Sequence, residues 1–188
     1  MDKATDETLV YLILKGETQL FEQIIERYEW PIYNLMYRYC RSEQEAADLT
    51  QDVFLRVFDR LSSFNRRKRF FSWLYALAVN RANDWHRRVA INRKKLNELH
   101  WDPPEPEVNS DQEEKMVAQE EVNNLYKSLD ELPDTTREMI LLRYKQELPF
   151  FEIADIFNVS ESAVKMRVAR GLTKIKDLLG GVRDETMD

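Results

Sequence analysis

The chain has 188 residues, with 34 acidic and 28 basic side chains, a formal net charge of -6, 43% hydrophobic content and only 4 glycines. That length suits one or two small domains, and the composition favours helix over sheet. No apolar run approaches the roughly 18 residues needed to cross a bilayer, MDKATDETLV lacks the basic-then-apolar pattern of a signal peptide, and Cys40 has no second cysteine to pair with, so a cytoplasmic setting is expected.

In chain order, the first clear pattern is an amphipathic stripe within residues 17–40, where Leu20, Phe21, Ile24, Ile25 and Tyr28 recur at helical spacing. Pro31 is expected to kink or break that helix. Cys40, in LMYRYCR, reads as a semi-buried, inert thiol. Ser42-Glu-Gln-Glu45 has the form of a capping box that opens the next helix. That helix runs to about Leu61 on the stripe Leu49, Val53, Val57 and Leu61. Residues 64–69 interrupt, and a further long helix is expected from about Phe71 to Lys95.

Charge is distributed unevenly. Residues 1–100 hold 17 Lys/Arg against 14 acids, residues 101–122 hold one against eight, and residues 123–188 hold 10 against 12. The acidic stretch HWDPPEPEVNSDQEE, with three prolines, is expected to be an extended, mobile joint. The expected architecture is all-α: a helical bundle over 1–96, an acidic flexible linker over 97–115, a second helical domain over 116–180 and a tail over 181–188. With His86 and His100 as the only histidines, no zinc site, other metal or cofactor is expected.

In the second block a helix over Val117–Leu129 is followed by a helix start at Pro133-Asp134, with Met139 and Leu142 facing inward. Ile153, Ala154 and Phe157 then give a short helix. Asn158, a residue type that tolerates a left-handed backbone, supplies a turn. Val159 fills the angle, and Ser160 caps a helix with Val164, Val168 and Leu172 inward. Lys165, Arg167, Arg170 and Lys174 lie outward, with Glu161, Ser162, Ala163 and Met166 near the helix start. This is a helix-turn-helix pattern, with a second helix suited to the major groove of duplex DNA.

The stretch FNRRKRFFSWLYALAVNRANDWHRR, residues 64–88, carries seven Arg/Lys against one acid, interleaved with six aromatic rings. Cations that follow a backbone and rings that stack on bases are the composition of a single-strand binder. Trp73 and Trp85 read as mainly structural. Phe64 and the basic residues Arg66, Arg67, Lys68 and Arg69 are the candidates for contact, and Asn80, Asp84, Arg87 and Arg88 form a polar stripe along the following helix.

A single-strand reader and a duplex reader in one chain are the parts that promoter opening requires. DLTQDVFLRVF (48–58) resembles region 2.2 of the extracytoplasmic-function sigma factors of the sigma-70 family. FFSWLYALAVNRANDWHRR (70–88) is similar to their regions 2.3 and 2.4, through Trp73, Leu74, Tyr75, Asn80, Asp84 and Arg87. Residues 132–172 resemble region 4. The resemblance implies a non-enzymatic subunit that directs core RNA polymerase to promoters and helps to melt them. Asp48, Gln51, Asp52 and Arg56 would face the clamp coiled coil of the polymerase, and the second domain its flap. The loop with Phe64 and Arg66–Arg69, together with Asn80, Asp84, Arg87 and Arg88, would take the −10 strand. Arg143, Glu161, Ser162, Ala163, Lys165, Met166, Arg167 and Arg170 would meet the −35 duplex. An anti-sigma factor, often membrane-bound in the family, would control the chain, which has no membrane insertion of its own. The acidic joint would imitate the charge of RNA near the polymerase active site or serve as a solvated tether.

This sequence departs from the family at Ser162-Ala163, where Gly-Thr is frequent, at Met166, where Ser is common, and at Asn158, where Gly is usual. The run Arg66–Arg69 is unusually basic, which suits phosphate attraction or a regulator's surface. The alternative, a free-standing helix-turn-helix regulator, leaves DLTQDVFLRVF and the basic-aromatic stretch without a role. An enzyme would need a nucleophile–base pair, spaced metal ligands or a glycine-rich phosphate loop, and none is present.

Overall fold

The computed structural model describes residues 4–96 and 116–185, and every described element is helical. The chain divides into two compact units, residues 1–104 and 105–188. The expected acidic joint over 97–115 lies outside the described residues.

The first unit begins with α1 (Asp6–Leu14), an element that the sequence reading did not place. Thr5 caps it by accepting the amide N–H of Thr8, and Leu9, Val10 and Ile13 bury its inner face. Asp6, in its first turn, accepts from both Arg27 and Tyr28 of α2 (Phe21–Cys40), which fastens the start of the chain to the bundle. Burial, reinforced by the Asp6 hydrogen bond, pushes the Tyr28 hydroxyl pKa well up.

The expected break at Pro31 does not occur, because α2 runs through it as one helix. A proline there forfeits one backbone hydrogen bond, but Ile24 before it and Ile32, Leu35 and Met36 after it are all buried on one face. Tertiary packing therefore outweighs the local penalty. The helix ends at Cys40, where Arg41 turns left-handed at φ 55°.

Ser42 accepts from the Glu45 amide and opens α3 (Glu43–Arg60) as expected. The Glu45 carboxylate accepts the indole N–H of Trp85 at 3.0 Å, so this residue of the capping motif also ties two helices together. The stripe Leu49, Val53, Val57 and Leu61 is buried in full; burial of each such side chain contributes about 1.5–3 kcal/mol. A 3-10 turn (Leu61–Ser63) and a loop lead into α4 (Phe70–Leu96). Leu74, Ala78, Val79 and Ala82 of α4 face the core. Small side chains at Ala46, Ala78 and Ala82 suit the mutual packing of α2, α3 and α4.

The second unit contains α5 (Met116–Asp130), α6 (Asp134–Tyr144), α7 (Phe150–Phe157) and α8 (Glu161–Glu185). Helix α8 packs against the other three. Met139, Leu142, Ile153, Ala154, Val164 and Val168 are buried as the periodicity requires. Two positions differ. Ile156 is buried in α7 where Phe157 was expected, and Leu172 is 36% exposed while Gly171 and Ile175 face the core. Repeated steps of four drift off a helix of 3.6 residues per turn, so the inner stripe runs 164, 168, 171, 175. A side chain at Gly171 would come within 2.8 Å of Ile140 Cδ1 and 2.9 Å of Thr136 Cγ2, so α6 and α8 meet closely there.

Arg137, only 1% exposed, was not singled out in the sequence. Its guanidinium donates to Asp130 at 3.0 Å and Asp134 at 2.7 Å, joining the end of α5 to the start of α6. Its position on the inward stripe of α6, three residues before Ile140, was the available signal.

Candidate functional site

The loop between the 3-10 turn and α4 is built on two buried rings. Phe64, 7% exposed, packs edge-on against Phe70 at 5.3 Å and at a tilt against Trp73 at 5.4 Å. Phe64 is therefore an anchor, and its ring is not presented to a ligand as the sequence reading expected. An aromatic residue between polar loop positions has solvent on every side unless it turns inward, and the apolar N-terminal end of α4 receives it. Asn65 accepts from the Arg67 amide at 3.0 Å through its side chain and from the Lys68 amide at 2.9 Å through its carbonyl, which curls the chain tightly. Arg66, Arg67, Lys68 and Arg69 follow as an exposed basic rim.

The polar stripe of α4 does not close around this loop. Asn80 stands ten residues beyond Phe70, about 15 Å along the helix axis, and Asp84 stands about 21 Å along it. Asn80, Arg87 and Arg88 are exposed, and Asp84 is partly covered. The candidates thus form a track along α4, not one pocket. Trp73 and Trp85 are half-buried and engaged with Phe64 and Glu45, in keeping with structural roles.

The outward positions of α3 divide into two groups. Asp48 and Gln51 are exposed. Their face continues into Leu55, 59% exposed, and Phe58, two apolar residues that the sequence reading did not select. Asp52 and Arg56 instead reach α4. Asp52 accepts twice from Arg81, and Arg56 lies 3.8 Å from Asp84, which Arg87 also meets. One candidate set on α3 and another on α4 are therefore cross-linked by charge.

In the second unit the turn between α7 and α8 is as expected. Asn158 is left-handed at φ 51° and ψ 51°, and Ser160 accepts the Ala163 amide at 3.2 Å. Ser162, Met166, Arg167 and Arg170 are exposed along the outer face of α8, and Ala163 is half-buried. Lys165 pairs with Glu161 at 2.6 Å and lies 5.7 Å from the Phe150 ring. Arg143, half-buried, sits 4.8 Å over that same ring and donates to the Leu148 carbonyl at 3.1 Å. Phe150 thus gathers cations from α6 and α8, and Arg143 braces the connection between α6 and α7.

Burial raises the Cys40 pKa, and its thiol donates to the Ser42 carbonyl at 3.3 Å. Among the described residues, no three His, Cys, Asp or Glu side chains converge as metal ligands, and no helix is long and apolar enough to cross a membrane.

The chain is similar to known proteins in sequence and in fold. Sigma-70 region 2 matches residues 24–90, and Sigma-70, region 4 matches residues 128–177. The ECF RNA polymerase sigma factor SigW of Bacillus subtilis is 30% identical over 179 residues, covering 89% of this chain and 92% of that protein. The ECF RNA polymerase sigma-E factor of Escherichia coli is 28% identical over 185 residues, covering 90% and 91%. The fold is also that of the sigma factor RpoE in its co-crystal structure with the anti-sigma factor NepR from Bartonella quintana. That match has a TM-score of 0.68 and 19% identity, covering 85% of this chain and 96% of that one.

Proposed function

The chain belongs to the extracytoplasmic-function sigma factors of the sigma-70 family, and we propose how its surfaces divide the work of promoter opening. As a member of that family it is a non-catalytic factor that directs RNA polymerase to promoters. The exposed edge of α3 docks on the clamp of core polymerase through Asp48 and Gln51, with Leu55 adding apolar contact. Asp52 and Arg56 act at one remove, by fixing α4 relative to that edge. The basic rim Arg66–Arg69 takes the displaced −10 strand, while Phe64 holds the rim in place from beneath. Asn80, Arg87 and Arg88 carry the strand along α4. In the second unit Ser162, Met166, Arg167 and Arg170 meet the −35 duplex, and Phe150 aims Lys165 and Arg143. An anti-sigma factor, such as accompanies the structurally similar RpoE, restrains the chain by covering these faces.

The observation that carries this reading is the rim itself: four consecutive cations exposed on a loop anchored by two buried rings. Such a loop attracts a flexible polyanion, and it is not a helix of the kind that enters the major groove of a duplex. The test is gel filtration of the chain with bacterial core polymerase, followed by run-off transcription on selected promoters. Co-elution that Asp48→Ala/Gln51→Ala weakens, together with transcription lost in Arg66→Ala/Arg67→Ala, is expected. Folded chain that fails to co-elute would overturn the assignment of α3.

A further inference from the structure

The basic rim is not confined to its loop. Tyr11 of α1, 39% exposed, has Lys15 Nζ 4.5 Å from its ring centroid and Arg66 Cζ 5.2 Å from it. Lys15 closes the end of α1, and Arg66 begins the rim, so one ring joins two elements that are 51 positions apart in the chain. The negative charge on the faces of the ring attracts each cation. The floor beneath is firm, because Leu9, Val10 and Ile13 bury the other side of α1, which packs on the 3-10 turn just before the loop.

We infer that α1 is part of the single-strand surface: Lys15 binds a backbone phosphate, and Tyr11 is the positioning residue that sets Lys15 beside Arg66. Two like charges brought to one exposed ring repel each other. A polyanion relieves that repulsion and releases counterions as it binds, which favours a phosphate chain over a neutral or cationic partner. The ligand is the sugar–phosphate backbone of single-stranded DNA continuing from the rim, so the inference rests on the −10 reading above. It extends that reading to an element with no assigned role.

The test uses the chain bound to core polymerase and a fluorescent fork-junction promoter with a single-stranded non-template overhang. Affinity is read by anisotropy across a salt titration. Lys15→Gln is expected to reduce the slope of log affinity against log salt by about 0.7, the value for one phosphate contact on a single strand. Tyr11→Phe retains the ring and should retain the slope, whereas Tyr11→Leu should lose the same increment as Lys15→Gln, with no further loss in the double variant. Tyr11→Leu counts only if its thermal unfolding matches wild type; otherwise Lys15→Gln alone decides. An unchanged slope in Lys15→Gln, with wild type bound to the fork, would overturn the role of α1. Failure of wild type itself to bind the fork would overturn the −10 reading and this inference together.

Discussion

Arg81 of α4 donates both Nε–H and Nη2–H to a single oxygen of Asp52 on α3, at 3.0 and 2.7 Å. The two ends of this pair have different environments, since the Arg81 side chain is 7% exposed and that of Asp52 is 48% exposed. The guanidinium is therefore committed to the bundle while the carboxylate borders solvent. An acid on the edge assigned to polymerase thus sets the position of the helix assigned to the −10 strand. Arg56 and Asp84 repeat the link one turn further along α3.

Asp52→Ala should destabilise the first unit by about 1–3 kcal/mol, because it strips a buried cation of its acceptor. Asp48→Ala and Gln51→Ala, both at exposed positions, should stay within about 0.5 kcal/mol of wild type. Urea unfolding followed by tryptophan fluorescence reads both effects. An Asp52→Ala chain as stable as wild type, yet unable to hold polymerase, would return Asp52 to the contact surface.

Much of this was legible in the sequence, and the exceptions have physical causes. The stripe from Leu49 to Leu61, the Ser42 cap, the left-handed Asn158 and the outward Arg167 and Arg170 all follow from local pattern, and local pattern decides them. A break at Pro31 is absent because packing of Ile32, Leu35 and Met36 overrides a local penalty. Phe64 was misread because composition shows that rings and cations alternate but not which of them turn inward. The ties Asp52–Arg81 and Arg143–Phe150 depend on how separate elements cross. A charged residue that satisfies a neighbouring helix has the same sequence signature as one awaiting a partner. Arg81 could have been found, since it lies three residues beyond the buried Ala78.

Gly171→Ala should destabilise the second unit by roughly 1 kcal/mol. Helix propensity favours alanine by about 1 kcal/mol, but overpacking typically costs about 1–3 kcal/mol. The added methyl would press on two side chains at once, and Thr136, being β-branched, yields poorly. Thermal denaturation decides the sign; a stabilised variant would mean that α6 gives way easily at this crossing.

Asn158→Gly should be close to neutral, whereas Asn158→Val should cost about 1–2 kcal/mol, since a β-branched residue resists the left-handed conformation seen there. The valine variant should also lose affinity for −35 duplex in gel-shift assays, because the angle between α7 and α8 would relax. Equal melting temperatures for the two variants would argue against a strict turn.

Cys40 offers a pH-dependent test. Burial raises its pKa above the ordinary thiol value. Below the ordinary value the thiol is protonated in both folded and unfolded chains, and its contribution to stability is fully present. As pH rises past that value the unfolded chain loses its proton first, so stability declines until the folded thiol titrates. The rate of reaction with a disulfide reagent should inflect at higher pH than for a free cysteine, with the difference abolished in urea. An inflection at or below that of free cysteine would contradict the burial.

The outer face of α8 should separate affinity from sequence preference. Arg167 and Arg170 are exposed cations on the second helix of the motif, placed to neutralise phosphates. Each alanine replacement should weaken promoter binding about equally across sequences and reduce the salt slope by about 0.9, the value for one contact on duplex DNA. Met166, also exposed but apolar, contributes no charge and cannot donate a hydrogen bond to a base edge. It can make apolar contact with a thymine methyl. Met166→Ser should therefore leave the salt slope unchanged while shifting the −35 bases recovered from a randomised promoter library by the holoenzyme. Arginine variants that alter base preference, or a serine variant that alters only the salt slope, would reverse the two assignments.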